Sequence, residues 1–272
     1  MQYKRYLTSL ILLPVIIVII KFDHHDPPYI FFLLTLMVSS FALKEFFDLT
    51  FSSNDTIIKK IGVISGLLFF SALCFIDGHE LLSATIFAIL LLSFSIPLIA
   101  GIRKILNLEV TGKFILGMFY ISYLFSHIFL LRKQQDGIHW VFLILSLIFL
   151  GDTVAFYVGT YLGRHKLSPL LSPKKTIEGS FGNVAGNICG ALLYRYLFFP
   201  QLVLSKCLII ALISGILGQM GDLFASYLKR SEGVKDSGYI LPGHGGILDR
   251  IDSLLFATPF LYYYIILSSS NP

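Results

Sequence analysis

The stretch Ile138–Tyr157 reads IHWVFLILSLIFLGDTVAFY and is one of several apolar runs of the length that crosses a bilayer. A transmembrane helix needs roughly 20 mostly apolar residues, because the hydrocarbon core is about 30 Å thick. Of the 272 residues, 56% are hydrophobic and 14% are charged, whereas soluble domains carry about 25% charged residues. The composition therefore excludes an ordinary soluble domain and predicts an all-α, polytopic integral membrane protein.

Nine such apolar runs follow one another along the chain. The sequence predicts about nine transmembrane helices, at about Tyr6–Ile20, Tyr29–Leu43, Ile61–Ile76, Leu81–Ile99, Phe114–Leu131, Ile138–Tyr157, Ser180–Phe199, Leu202–Leu223 and Ile251–Leu267. We expect the first run to be an uncleaved span, because no small-residue cleavage pattern follows Ile20.

The positions of lysine and arginine predict how these helices are oriented. Short cytoplasmic loops of membrane proteins hold an excess of positive charge. With the N-terminus in the cytoplasm, only five of the 21 basic residues fall on the opposite side, namely Lys21, Arg132, Lys133, Arg195 and Lys206. The two polar segments, Gly159–Gly179 and Leu228–Arg250, then share the cytoplasmic face. This charge pattern favours a multi-pass protein of a bacterial-type inner membrane.

The chain divides into two parts of different polarity. Residues 1–131 are apolar runs joined by short loops, and we expect them to form an N-terminal transmembrane scaffold. Lys44 and Glu45, at the inner end of the second run, either pair with each other or border the site. Residues 132–272 are predicted to form the catalytic region, with a site on the cytoplasmic side.

Acidic side chains enter the predicted spans of residues 132–272. Asp152 and Asp222 each end a long apolar run. A charge at the centre of a membrane helix costs about 2.5–3.5 kcal/mol, so such an acid needs a partner, a cavity or an ion. The other interpretation is an acid that reaches the membrane surface or serves as a buried polar tether.

The segment Ser226–Asp252, SYLKRSEGVKDSGYILPGHGGILDRID, carries groups suited to phosphate chemistry. Basic residues neutralise phosphate oxygens, acids hold a hard cation such as Mg²⁺, and glycines let backbone amides approach an anion closely. The basic residues are Lys229, Arg230, Lys235 and Arg250, the acids are Asp236, Asp249 and Asp252, and the glycines are Gly238, Gly243, Gly245 and Gly246. A solvated loop would explain the lysines, but not the dense glycines or the interspersed acids. The segment therefore indicates a phosphate site.

Helical spacing arranges the residues at the start of this segment. If the span that includes Asp222 stays helical to its basic end, one face carries Asp222, Ser226, Lys229 and Arg230. The glycines and Pro242 predict that Ser231–Gly246 is a loop that folds back on the site. Asp222 and Asp249 can then meet across two helix ends. Paired carboxylates are a simple cage for magnesium beside a nucleoside triphosphate.

The same segment resembles the signature of the phosphatidate cytidylyltransferases, the CDP-diacylglycerol synthases. That signature runs S-x-hydrophobic-K-R, four residues, K-D, and then P-x-H-G-G-x-x-D-R-x-D. Every fixed position is filled, by Ser226, Lys229, Arg230, Lys235, Asp236, Pro242, His244, Gly245, Gly246, Asp249, Arg250 and Asp252.

Two further blocks are similar to elements of the same family. Leu171–Ser180 reads LSPKKTIEGS and matches the family element S-P-K-K-T-x-E-G. Asp152–Gly163 is a weaker match, because Thr160 stands where a basic residue is common and Val154 where a small one is common. The resemblance covers about the last 120 residues, and the first 130 match only in hydropathy.

The resemblance implies a magnesium-dependent transfer of a cytidylyl group from CTP to phosphatidate, giving CDP-diacylglycerol and pyrophosphate. It implies metal binding by Asp222 and Asp249, with a second cation as an open alternative. The expected substrate-binding residues are Ser172, Lys174, Lys175, Thr176, Glu178 and Ser226. The expected catalytic residues are Lys229, Arg230, Lys235, Asp236, His244, Arg250 and Asp252. His244 is expected to order the loop by hydrogen bonding, since a phosphate monoester is already largely ionised near neutral pH and hardly needs a base.

The expected partners are CTP, phosphatidate and membrane lipids, without nucleic acid, and a homodimer is an open alternative to a monomer. Two other functions stay open from the residues alone. One is a related membrane nucleotidyltransferase or phosphotransferase that acts on a polyprenyl lipid. The other is a lipid transporter, suggested by many spans with acids inside them. A transporter predicts interrupted helices in two similar halves, whereas here the polar groups are confined to one half.

Overall fold

The computed structural model describes residues 14–23, 25–76, 91, 108–240 and 245–269. Residues 14–22 are helical, and the helices that follow are α1 (Tyr29–Thr50), α2 (Thr56–Phe75), α3 (Leu108–Lys133), α4 (Gly137–Tyr161), α5 (Ile177–Phe198), α6 (Leu204–Ser231) and α7 (Leu248–Ser269). Between α4 and α5 lie the strands β1 (Lys166–Ser168) and β2 (Ser172–Thr176).

Six of these helices, α1, α2, α3, α4, α6 and α7, are long and apolar enough to cross a membrane. The remaining helix, α5, has 22 residues, but Asn183, Asn187 and several glycines make it less apolar. The architecture is therefore the predicted one of a mainly helical, multi-pass integral membrane protein. The predicted spans Tyr6–Ile20 and Leu81–Ile99 lie largely outside the described residues. The number nine and the cytoplasmic N-terminus stay predictions.

The hairpin between α4 and α5 is the exception to the all-α prediction. Strands β1 and β2 pair antiparallel, with Lys166 opposite Thr176 and Ser168 opposite Ser172. The sequence predicts only a polar loop in this region, because three- and five-residue strands rich in lysine and serine carry no alternating apolar pattern. The hairpin fixes the direction from which the Leu171–Ser180 block approaches the other helices.

Helices α1, α2 and α3 pack through large aromatic side chains. Seven of them are at most 2% exposed: Phe31, Phe46, Phe47, Phe69, Phe70, Phe114 and Phe129. Within α3, Met118–Tyr123 form a π-helical turn. Tyr120 of this turn packs edge-on against Phe224 of α6, with ring centroids 4.9 Å apart. The N-terminal helices thus contact the helix that carries the predicted polar face.

Helices α6 and α7 cross closely at a glycine. A Cβ atom on Gly221 would lie 2.3 Å from the backbone oxygen of Asp252, so only glycine fits this crossing. Small residues allow membrane helices to approach this closely. The crossing places Asp222 of α6 beside the first turns of α7, where Asp249 and Asp252 lie.

Candidate active site

The end of α6 carries the polar face that the helical spacing predicts. Because α6 continues to Ser231, the residues on this face share one unbroken helix: Asp222, Ser226, Lys229 and Arg230. The chain then turns at Gly233, whose φ of +71° favours glycine. The amide of Val234 donates to the oxygen of Lys229 at 2.9 Å and closes the helix end. The predicted change from helix to loop is confirmed.

Asp249 is held by a lysine and by the returning loop. Its Oδ1 accepts from Lys229 Nζ at 2.5 Å. Its Oδ2 accepts from the amide and the hydroxyl of Ser237, at 3.1 and 3.0 Å, and lies 3.4 Å from the amide of Gly246. The side chains of Lys229 and Asp249 are 12% and 10% exposed. A buried carboxylate with this many donors is fixed in position.

Glu45 joins the same network from the N-terminal part of the chain. Its Oε1 accepts from the amide of Ile247 at 2.9 Å, and its Oε2 accepts from the amide of Leu248 at 2.8 Å. The Ser237 hydroxyl lies 3.2 Å from Glu45 Oε2. Glu45 therefore borders the site. The alternative, a pair between Lys44 and Glu45, is wrong for the described residues, where no such ion pair forms.

Asp222 lies in a second cluster of charges. Its carboxylate forms an ion pair with Lys175 of β2, and these side chains are 32% and 29% exposed. Asp252 is buried, and its carboxylate is close enough to that of Asp222 for the two to repel each other. The Asp222 carboxylate also repels that of Asp152, which accepts a hydrogen bond from Asn183 Nδ2 at 3.1 Å. Lys175 thus partly neutralises a group of acids that belong to three helices, α4, α6 and α7.

The hairpin block is tied to α5 and α6 by specific hydrogen bonds. Thr176 is 6% exposed, and its Oγ1 caps α5 by accepting from the amide of Gly179 at 3.1 Å. Arg230 Nε donates to the oxygen of Leu171 at 3.3 Å, which joins the two motif segments. The predicted convergence of the two polar segments on one side of the helices is confirmed by this contact and by the Lys175–Asp222 pair.

Glu178 anchors the chain that leads into the hairpin. Its carboxylate accepts from His165 Nδ1 at 2.6 Å and from the amide of Arg164 at 3.1 Å. The His165 side chain and, after it, nearby backbone amides lower the pKa of Glu178 to about 2. These contacts give Glu178 a structural task. Its expected role in substrate binding stays a prediction.

The other predicted residues differ in their surroundings. Ser226 is buried, and Ser172 and Lys175 are half-buried. Lys174, Lys235, Asp236 and Arg250 are exposed. His244 and Pro242 lie outside the described residues. The individual catalytic and binding roles of all these residues stay predictions.

Of the residues in this network, Glu45 is predicted to border the site only as one of two alternatives, and Ser237 is not predicted. Glu45 lies 192 positions before Ser237, so no local spacing connects them. The one available signal for Glu45 is an acid at the inner end of an apolar run. Ser237 stands between Asp236 and Gly238 at a position that the family signature leaves variable.

The donor atoms at the site have the chemistry that Mg²⁺ requires. Magnesium binds oxygen ligands, usually one or two carboxylates together with water and substrate phosphates. Asp222, Asp249 and Asp252 offer such carboxylates on two crossing helices. Within the part of the chain that the structure describes, no three acids, histidines or cysteines are arranged to hold an ion together. The carboxylates of Asp222 and Asp249 are instead bound to lysines.

Fold and site together define a multi-pass membrane protein with acids and cations gathered at one end of its helices. The chain belongs to the cytidylyltransferase family, whose model matches residues 3–268. It is 34% identical to the phosphatidate cytidylyltransferase of Bacillus subtilis (strain 168) over 247 residues, or 86% of this chain and 89% of that protein. It is 33% identical to the phosphatidate cytidylyltransferase of Staphylococcus saprophyticus over 240 residues, or 87% of this chain and 90% of that protein.

Proposed function

We propose that this protein transfers a cytidylyl group from CTP to phosphatidate. An oxygen of the phosphatidate phosphate attacks the α-phosphorus of CTP, and the bond from that phosphorus to the oxygen of the β-phosphate breaks. The products are CDP-diacylglycerol, which stays in the membrane, and pyrophosphate. The relatives described above are named for this activity, and their similarity extends over most of the chain.

The observation that carries the proposal is the meeting of two polar segments at the ends of membrane helices. Arg230 contacts the backbone of Leu171, and Lys175 pairs with Asp222. A lipid phosphate lies at the membrane surface, whereas CTP arrives from water, so the reaction needs a site at such a boundary. Both reactants are anions, and catalysis therefore consists mainly of alignment and charge neutralisation.

Basic side chains on both segments are available for the phosphates. In the proposed reaction they neutralise the CTP phosphates and the phosphatidate headgroup: Lys174, Lys175, Arg230, Lys235 and Arg250. Lys229 has a different task, because its ammonium group is bound to Asp249. It holds that carboxylate in place and balances its charge.

Magnesium is the proposed cofactor, bound by Asp222 and Asp249. When bound, it supplies positive charge to phosphate oxygens and to the departing pyrophosphate. The network of Ser237, Gly246 and Lys229 around Asp249 favours the ionised carboxylate that such binding requires. Asp252, buried beside Asp222, offers a further oxygen ligand at the same helix crossing.

The test of the proposed function is a transfer assay with the purified full chain in lipid vesicles. Labelled CTP is supplied with phosphatidate, with a polyprenyl phosphate, or with neither. We expect labelled CDP-diacylglycerol and pyrophosphate only with phosphatidate, and only after magnesium is added. A labelled polyprenyl product would favour the related transferase, and no labelled lipid in any arm would contradict both enzymes.

Nine spans, an N-terminus in the cytoplasm and a bacterial inner membrane are proposed as the setting of this reaction. This topology places both polar segments on the side where CTP and magnesium are present. Single cysteines at Lys174 and Lys235 test it, because both side chains are exposed. A membrane-impermeant reagent applied from the outside should label neither position. A homodimer stays a prediction that mass measurement in detergent can check.

A further inference from the structure

Glu45 closes the N-terminal end of α7 although it belongs to α1. The first amides of a helix lack partners within the helix, and its N-terminus attracts negative charge. Glu45 accepts one hydrogen bond with each carboxylate oxygen, from Ile247 at 2.9 Å and from Leu248 at 2.8 Å. Its side chain is buried, with only 3% of the residue exposed. Asp249 lies directly after these two amides.

Ser237 connects Glu45 to Asp249. Its hydroxyl lies 3.2 Å from Glu45 Oε2 and 3.0 Å from Asp249 Oδ2. One hydroxyl has one proton and donates to one carboxylate at a time. The amide of Ser237 donates to Asp249 at 3.1 Å in addition. The loop and the first turn of α7 are therefore held together by two carboxylates, of which Glu45 is the more deeply buried.

Two glycines leave the space that the Glu45 carboxylate occupies. A Cβ atom on Gly246 would lie 2.6 Å from Glu45 Oε2 and 2.0 Å from the Ser237 hydroxyl. A Cβ atom on Gly238 would lie 2.6 Å from Glu45 Oε1. The loop thus passes so close to α1 that only glycine fits beside this carboxylate on either side.

We infer that Glu45 is a positioning residue for the reaction, which holds Asp249 through the first amides of α7 and through Ser237. This inference rests on the proposed function. Glu45 does not act on a substrate, because both of its oxygens are already bound to the protein and its side chain is buried. Through Glu45, a helix of the N-terminal part holds amides that lie 202 and 203 positions further along the chain.

The test is the variant Glu45→Gln in the full chain, which keeps the size of the side chain. The amide offers one acceptor oxygen, and its NH₂ group faces a backbone donor, so one of the two amides loses its partner. The matched control is Glu109→Gln, because Glu109 is 64% exposed and pairs with Lys113 of its own helix at 2.7 Å. Both variants receive three measurements: the kinetic constants kcat and KM for CTP, the magnesium concentration for half-maximal rate, and hydrogen exchange of the peptide 245–252.

We expect Glu45→Gln to lower kcat by about 10- to 100-fold, since small misplacements of reacting groups have effects of this size. The half-saturating magnesium concentration should rise several-fold, with KM for CTP little changed. Amides at 247 and 248 should exchange faster in this variant, whereas Glu109→Gln should match the parent protein in all three measurements.

A purely structural role would give a different result. The yield of folded protein would fall, but kcat per folded molecule and the magnesium dependence would equal those of Glu109→Gln, and this outcome overturns the inference. If Glu45→Gln does not accumulate, Ser237→Ala removes the hydroxyl that contacts both Glu45 and Asp249 and keeps the amide bond to Asp249, and unchanged kcat and magnesium dependence there also overturn it. If the parent protein shows no transfer from CTP to phosphatidate, the proposed function fails, while the exchange of 247 and 248 still reports whether Glu45 holds α7.

Discussion

The site contains two lysine–aspartate pairs that differ in how firmly they are held. Lys229 and Asp249 are 12% and 10% exposed, and Asp249 accepts further bonds from Ser237 and Gly246. Lys175 and Asp222 are 29% and 32% exposed, and among the described residues no other donor bonds to the Asp222 carboxylate. The first pair is a preformed part of the site. We expect the second to open when a substrate or an ion competes for either partner.

Asp249→Asn tests the fixed pair and should have the largest effect. Asparagine removes the charge and places an NH₂ group near the donors of Ser237 and Gly246. Loss of a preorganised charge typically lowers kcat by about 10²–10³-fold, and we expect the upper end or more because a metal ligand is lost as well. The rate of CDP-diacylglycerol formation, measured over a range of magnesium concentrations, gives the loss.

Membrane fractionation of this variant provides the control, because insertion should match that of the parent protein. Near-normal turnover in Asp249→Asn would remove Asp249 from the proposed metal site. It would also mean that the fixed pair, Lys229–Asp249, is no more important for catalysis than the more exposed pair, Lys175–Asp222.

Lys229→Met compared with Lys175→Met tests the same difference through stability. Removing one partner of a buried pair costs about 3–5 kcal/mol, whereas a solvent-exposed pair is worth about 0–1 kcal/mol. We expect about 3 kcal/mol for Lys229→Met, at the low end because Asp249 keeps its bonds to Ser237 and Gly246. Thermal unfolding in detergent measures both variants. Equal losses of stability would show that the two pairs are held alike.

Asp222→Asn should lower activity less than Asp249→Asn, by about 10²-fold, the smaller of the usual effects of removing a catalytic charge. Asp252 remains beside it and retains part of the negative charge at the α6–α7 crossing. The same transfer assay and magnesium titration measure this loss. A loss as large as that of Asp249→Asn would mean that both carboxylates are equally indispensable, whatever their exposure.

The features that follow from local spacing are those that could be predicted from the sequence. The polar face of α6, from Asp222 to Arg230, follows from helical periodicity, and its end follows from Gly233. The sequence could not decide whether Glu45 borders the site, because its bonds to Ile247 and Leu248 join residues more than 200 positions apart and leave no local pattern.

The lysines that pair with the predicted acids could not be predicted from the sequence either. Asp222 stands out as an acid at the end of an apolar run and Asp249 as an acid of the polar segment, but spacing alone does not show that one pairs with Lys175 and the other with Lys229. Those pairings depend on how the hairpin packs against α6 and on how the loop returns to α7. Tertiary packing decides them, and short polar strands such as β2 give no periodic signal in advance.

Thr176→Val has the smallest expected effect and concerns the hairpin that carries Lys175. The hydroxyl caps α5 through the amide of Gly179 at 3.1 Å, and loss of such a cap costs about 0.5–2 kcal/mol. We expect about 1 kcal/mol less stability, with Thr176→Ser close to the parent protein because it keeps the acceptor. KM for CTP and phosphatidate should stay unchanged in both variants, since Thr176 is only 6% exposed.

A raised KM in Thr176→Val without a loss of stability would instead make this hydroxyl a substrate contact, as the family resemblance implies. The hairpin that carries Lys175 would then bind the substrate directly. It would differ from the preformed Lys229–Asp249 pair in its chemical role as well as in how firmly its side chains are held.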